Sequence, residues 1–373
     1  MLWNWAESRA MSGALEVTTL SILLGSLLGL AVALWARPLG AGLGIIDKPD
    51  GSRKLHATPT PLVGGVGLFM AMTTGLLLSA ATFEHVTPAV TGIFQVSTIF
   101  FLLGFFDDRS HIHPWIRLGV GILGTGLLAL LVPETRVQQL WFTDLGFTIP
   151  LGLLGVPFTM FCVLCLKHGS NLADGLNGLF LGMCMIWLLL LAPWLTPETS
   201  VMLMPVAAAL AVLFLANLKS RLFTGDSGAY MMSALIGFAA IEAYTSHRGG
   251  MPALYLGACF LIPVLDMGRV MAVRIREHRG AFTPGRDHLH HYLKDGLGSA
   301  NRAVAVYLAL CAIPALHAYL QVPLVLVTAL QVTAYGVALS LRPAPERPAV
   351  DKPAAYRGGG SFKHTPKPFQ NRE

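Results

Sequence analysis

The stretch STIFFLLGFFDDRSH (Ser97–His111) runs an apolar segment directly into two adjacent aspartates, Asp107 and Asp108. Neighbouring carboxylates repel each other, and an ionised side chain at the mouth of a greasy segment is costly unless it meets a partner. The stretch therefore reads as a membrane helix that ends on a charged, functional rim.

The rest of the chain supports this. Of 373 residues, 54% are hydrophobic and 12% charged, against about 25% charged in ordinary soluble proteins. Too few polar groups are present to cover a soluble surface, which points to a membrane protein. All five cysteines lie in apolar runs. Cys162 and Cys165 have CxxC spacing but no second pair, so they read as helix packing rather than a redox or zinc site. Arg9 alone precedes the first apolar run, and no small-residue cleavage site closes it. That run is expected to be a retained helix and not a signal peptide.

A crossing helix needs about 20 mostly apolar residues. Eleven segments qualify, near 15–37, 62–82, 88–106, 116–133, 150–168, 175–194, 201–218, 228–245, 253–275, 302–320 and 322–341. With the N-terminus outside, only Arg9, Arg136 and Arg248 of the 26 Lys and Arg fall on the external side, which fixes the orientation by the positive-inside rule. The net charge of +6 is then topology, and no nucleic-acid motif accompanies it. The expected fold is an all-α polytopic membrane protein with a cytoplasmic C-terminus. A single integral-membrane domain spans 1–341, and the Pro-, Gly- and charge-rich tail 342–373 is expected to be disordered. The external stretch 134–149 reads as a short hairpin or an interfacial lid.

The polar residues gather on one face. The cytoplasmic loops carry DKPDGSRKLHATPTPLVGG (47–65), DDRSHIHPWIR (107–117), KHGSNLADGLNG (167–178), NLKSRLFTGDSG (217–228) and REHRGAFTPGRDHLHHYLKDG (276–296). A transporter would place such residues near the bilayer midplane; here they suit an enzyme joining a lipid to a water-soluble substrate. Carboxylates and Asn are hard oxygen ligands for Mg²⁺ or Mn²⁺, Arg and Lys neutralise phosphate, and the combination is that of phosphoryl transfer.

From about 44 to 300 the chain resembles the polyprenyl-phosphate N-acetylhexosamine-1-phosphate transferases. The resemblance rests on DKPDGSRKLHATPTPLVGG, GFFDDR, NLADGLNGL, LFTGDSGA, and LDMGRV followed by PGRDHLHHYL, in that order. It implies transfer of a sugar-1-phosphate from a UDP-N-acetylhexosamine, most simply UDP-GlcNAc, to undecaprenyl phosphate with release of UMP. It also implies Mg²⁺ dependence (Mn²⁺ as a substitute), a cytoplasm-facing site in the bacterial inner membrane and, by analogy, a homodimer. The product would be the first lipid-linked intermediate of a cell-surface polysaccharide such as an O-antigen.

The resemblance also assigns roles. Asp226 and Asn171 would hold the metal, and Asp107, Asp108, Asp174 and His290 would be catalytic. Lys54, His56, Arg117, Asn177, Asn217, Phe223, Arg286, His288 and His291 would bind substrate, with Phe223 stacking on uracil. Two positions depart from the family pattern. His111 stands where DDxxD has its third carboxylate, and Asn177 stands where many relatives have Asp.

Plainer readings accompany several of these. Asp226 could cap the next helix, Phe223 could be an interfacial anchor, NLADGLNG a turn plus cap, and Arg117 a positive-inside anchor. Asp266 and Arg269 read best as a structural ion pair one turn apart. The peptidoglycan phospho-MurNAc-pentapeptide transferases are the alternative branch of the family, and a multi-span transporter is the alternative from another class.

Overall fold

The computed structural model describes residues 2–48, 59–278, 280 and 285–341, with side chains from residue 15 onward. Lys54, His56 and the expected tail 342–373 lie outside the described residues. Helices α1 (Leu2–Leu34) and α2 (Ala36–Leu43) lead to an antiparallel pair, β1 (Ile46–Asp47) and β2 (Thr60–Pro61). Then come α3 (Gly64–Thr82), α4 (Pro88–Ser110) and α5 (Pro114–Leu131). A hairpin, β3 (Gln139–Phe142) and β4 (Phe147–Pro150), precedes α6 (Gly155–Ala173), α7 (Leu179–Leu191), α8 (Pro197–Leu218) and α9 (Gly225–Ser246). The described chain closes with α10 (Ala253–Arg276), α11 (Leu289–Leu297), α12 (Ala300–Ala312), α13 (Ala315–Leu320) and α14 (Leu324–Ser340).

The described protein is thus a helical, polytopic membrane protein. Seven of the eleven expected segments coincide with helices long and apolar enough to cross a bilayer: Leu15–Leu34, Gly64–Thr82, Pro88–Ser110, Pro114–Leu131, Gly152–Ala173, Pro197–Leu218 and Ala253–Arg276. Their outward faces carry large apolar side chains, such as Leu23, Leu27 and Leu30 on α1 and Leu123, Leu127 and Leu130 on α5. In water such patches would be a liability; in lipid they are solvated. The other four segments differ. Those at 175–194 and 322–341 form shorter apolar helices, Leu179–Trp194 and Leu324–Ser340. The segment at 302–320 is interrupted at Ile313–Pro314 into α12 and α13, because proline has no N–H to continue the ladder.

The fourth, α9, has another cause. Every residue from Ser227 to Tyr244 is buried, so protein surrounds this helix and lipid does not select its composition. Small residues let its neighbours approach, as expected where packing rather than hydrophobicity drives association in lipid. A Cβ on Gly104 of α4 would collide with the carbonyl of Asp226, and one on Gly65 of α3 with Gly228. Two expected loops also change character. The hairpin expected within 134–149 forms, with Trp141 donating its N–H to Tyr244 Oη of α9 at 2.8 Å. Helix α6 runs on to Ala173, past its expected end at 168, bringing Asn171 onto a helix.

Candidate active site

The loop before α9 is built from two distant pieces of chain. Phe223 donates its N–H to Pro61 O at 2.9 Å, and the N–H groups of Gly64 and Gly65 donate to the carbonyls of Phe223 and Thr224 at 3.0 and 2.9 Å. The orphan donors at the start of α3 are thereby satisfied by the FTGDSG loop. Gly225 takes φ +73°, and a Cβ there would meet Asp108 Oδ2 at 2.6 Å, so glycine is required on both counts.

Asp108 caps α9 from another helix. Its Oδ1 accepts from Asp226 N–H at 2.7 Å and its Oδ2 from Ser227 N–H at 3.0 Å. The capping reading of Asp226 is therefore corrected: Asp226 lies inside the first turn, and Asp108 does the capping. Asp107 is buried and saturated. Its Oδ1 accepts from Ile112 N–H at 2.8 Å, and its Oδ2 accepts from Arg117 Nη1 at 2.6 Å and Tyr230 Oη at 2.9 Å. Arg117, on α5, also donates from Nη1 to Tyr230 Oη at 3.0 Å. It is thus a partner of the cluster and more than a membrane anchor.

Asp226 faces the Asp107 and Asp108 carboxylates and the Arg117 guanidinium. No donor among the described residues hydrogen-bonds the side chain of Asp226 or of Asp174. Asp174 ends α6 and keeps contact with solvent. The protein crowded around it and the Asp108 charge push its carboxyl up to about 7. Carboxylates that neighbour one another and lack donors call for a cation. Among the described residues, no three His, Cys, Asp or Glu side chains converge on one point. A divalent cation here would therefore need ligands from outside the protein, as when Mg²⁺ binds through one or two carboxylates plus substrate phosphates. Asp226, and Asp174 and Asn171 at the end of α6, have the donor chemistry that such an ion takes.

The NLADGLNG segment forms a helix end followed by a turn, as its plainer reading had it. Asn171 sits in the last turn of α6, Asp174 is its C-cap, and Gly178 turns the chain at φ +82°. Asn177 Nδ2 donates to Ser220 Oγ at 2.7 Å. Buried Asn217 accepts from Gly178 N–H through Oδ1 and donates to Leu222 O at 3.0 Å. Both of its polar atoms are committed to the backbone, so it braces two loops. His111 is exposed and ends α4 in the left-handed region at φ +49°, a conformation histidine tolerates better than most residues.

The histidine motif meets this cluster at one loop. Asp266 of α10 accepts from Arg269 Nη2 at 2.7 Å, pairs with His288 Nδ1 at 3.1 Å and takes the Leu289 N–H at 3.1 Å. The ion pair expected there is present, and it ties α10 to the start of α11. His290 is buried with both ring nitrogens unpartnered. A Cβ on Gly175 would collide with its Nε2, so the imidazole lies against the Asp174 loop. Burial, helped by the neighbouring His291 and His288, lowers His290 to about 3; burial and Arg286 lower His291. These rings are neutral at pH 7. Arg286 is exposed and pairs with Asp295 at 3.4 Å.

Two residues of the cluster had no role in the sequence reading. Tyr230 lies one turn beyond Asp226 on α9, and that i, i+4 spacing was the available signal. Lys167 is 1% exposed, its Nζ has no hydrogen-bond acceptor, and it stands 4.0 Å from the Tyr230 ring centroid. Its position at the end of an apolar span made it look like an orientation charge.

Comparison with known proteins bears on this arrangement. Residues 90–244, from α4 through most of α9, match the model of glycosyl transferase family 4. The chain is 26% identical over 292 residues to the undecaprenyl-phosphate alpha-N-acetylglucosaminyl 1-phosphate transferase of Escherichia coli strain K12, covering 74% of this chain and 76% of that one. It is 27% identical over 311 residues to the Salmonella typhi protein of the same name, covering 79% and 81%. It is 26% identical over 279 residues to a probable undecaprenyl-phosphate N-acetylglucosaminyl 1-phosphate transferase of Bacillus subtilis, covering 71% and 74%. The resemblance carried by the motifs is therefore borne out, and the carboxylate cluster lies within the residues that match the model of glycosyl transferase family 4.

Proposed function

We propose that this protein transfers an N-acetylhexosamine-1-phosphate, from UDP-GlcNAc in the simplest case, to undecaprenyl phosphate. The names of its relatives support a polyprenyl-phosphate hexosamine-1-phosphate transferase. The donor, the release of UMP and the metal are our reading of the site. The observation that carries it is the donor-free Asp226 carboxylate, fixed by the Asp108 cap beside the Asp107–Arg117 pair.

In this reading an oxygen of the lipid phosphate attacks the sugar-bearing β-phosphorus. The new P–O bond forms as the bond to the bridging oxygen breaks, and UMP leaves with that oxygen and its electron pair. A phosphate monoester has its second pKa near ~6, so the acceptor is already largely a dianion and a strong base contributes little. Asp107 is better used to aim Arg117, whose remaining N–H groups can take a phosphate oxygen. Neutral His290 can hold a hydrogen bond from either ring nitrogen at the Asp174 side. Mg²⁺ at Asp226, with Asp174 and Asn171, would supply charge stabilisation to the diphosphate. Phe223, in the loop that carries Asp226, is proposed to meet the uracil, and the bias of Lys and Arg toward this face supports its lying in the cytoplasm.

The test is purified protein with undecaprenyl phosphate, Mg²⁺ and a panel of UDP-N-acetylhexosamines, scored for UMP. Lipid-dependent UMP release with at least one sugar is expected; none with any sugar overturns the reading.

A further inference from the structure

Lys167 presents an unusual balance. Its ammonium has left water, since the residue is 1% exposed, and has gained no hydrogen bond. What it has gained is two ring faces, Tyr230 at 4.0 Å and Phe100 at 5.6 Å from the ring centroids. Cation–π contacts alone do not repay the loss of hydration of a fully buried charge. The remaining compensation must come from the surrounding field, which includes Asp226, Asp107 and the opposing charge of Arg117.

The two cations of the cluster are held differently. Arg117 touches Asp107 directly at 2.6 Å. Lys167 makes no direct contact with a carboxylate but lies on the face of the Tyr230 ring, whose hydroxyl donates to Asp107 at 2.9 Å. A contact pair would occupy a carboxylate oxygen, whereas a charge without such contact leaves the Asp226 oxygens open to a ligand while still reducing the negative potential around them.

We infer that Lys167 is a built-in counter-cation of the carboxylate cluster: from the face of the Tyr230 ring, without touching a carboxylate, it weakens the hold of the Asp226 site on a divalent cation, and so keeps that ion exchangeable. This rests on reading Asp226 and its neighbours as a divalent-cation site. Lys167 is a positioning residue in this scheme, acting on the ion through the field rather than by touching substrate.

The test is Mn²⁺ binding to the full-length purified protein without substrates, read by electron paramagnetic resonance. Lys167→Met removes the charge at similar length and is expected to bind Mn²⁺ about tenfold more tightly. Lys167→Arg is expected to stay close to wild type. Melting should separate this from a packing role: Lys167→Met is expected to lose stability in EDTA and regain it in Mn²⁺. Unchanged or weaker Mn²⁺ binding in folded Lys167→Met overturns the inference. Failure of both Lys167→Met and Lys167→Gln to fold even with Mn²⁺ overturns it as well. Because no sugar or lipid is present, these outcomes are independent of UMP release. Absence of Mn²⁺ binding in the wild type would overturn the cation-site reading itself.

Discussion

Asp108 and Asp226, 118 residues apart, are joined by a single hydrogen bond of 2.7 Å from the Asp226 backbone N–H to the Asp108 carboxylate. One aspartate of the DD pair thus serves as the cap that presents the other motif's aspartate. The positive end of α9 offsets the Asp108 charge, which lets carboxylates crowd together without a cation in contact with each.

Replacing Asp108 should therefore act on stability as well as on turnover. Asp108→Ala leaves two N–H groups at the start of α9 without acceptors and is expected to destabilise the protein by about 1–2 kcal/mol. Asp108→Asn keeps an acceptor and should fall between Ala and wild type. Thermal melting in detergent orders the three. Equal stability of Ala and wild type would show that the cap is dispensable.

Asp226 should behave in the opposite way. Its side chain accepts no hydrogen bond from the described residues and sits among like charges, so Asp226→Asn is expected to leave melting unchanged or raise it. UMP release should nevertheless fall by on the order of 10²-fold or more, the scale of losing one electrostatic stabiliser of the transition state. Retained turnover would remove Asp226 from the reaction.

Much of this was legible in the sequence, though not all for the same reason. The apolar runs gave seven crossing helices close to their expected bounds because lipid-facing composition is written in consecutive residues. The convergence of GFFDDR, NLADGLNGL and FTGDSG followed from alternating loops on one face. What periodicity cannot supply is the partner of a side chain. Asn217, expected to help hold the nucleotide, has its amide bonded to the Gly178 N–H and the Leu222 carbonyl. Asp108, expected to be catalytic, also caps α9, which no sequence pattern announces. Lys167 was passed over because a lysine at the end of an apolar span reads as an orientation charge, and composition does not tell that its side chain is buried.

Gly225 offers a sharper test of the geometry. Its φ is +73°, and a methyl group added there would sit 2.6 Å from Asp108 Oδ2. Gly225→Ala should therefore cost about 1–3 kcal/mol in backbone strain. It should also push the Asp108 cap away, so Mn²⁺ affinity is expected to drop with stability. An alanine variant with wild-type melting and ion binding would contradict the close packing of α4 on α9.

Asp174 ties the site to pH. Its folded-state pKa is raised to about 7 from the ordinary value of 3.8, chiefly by the surrounding protein and then by Asp108. The folded chain therefore binds this proton more tightly than the unfolded chain does. Its contribution to stability is fully present below about pH 4 and is lost as pH rises toward 7. Solvent access keeps the amplitude small. In EDTA, wild type minus Asp174→Asn melting should fall across that window and flatten above it. Added Mg²⁺ should reverse the slope, because the ion binds only the deprotonated carboxylate. A difference curve that is flat from about pH 4 to 8 in EDTA would mean that Asp174 titrates as an ordinary exposed carboxylate and does not share the field of Asp108.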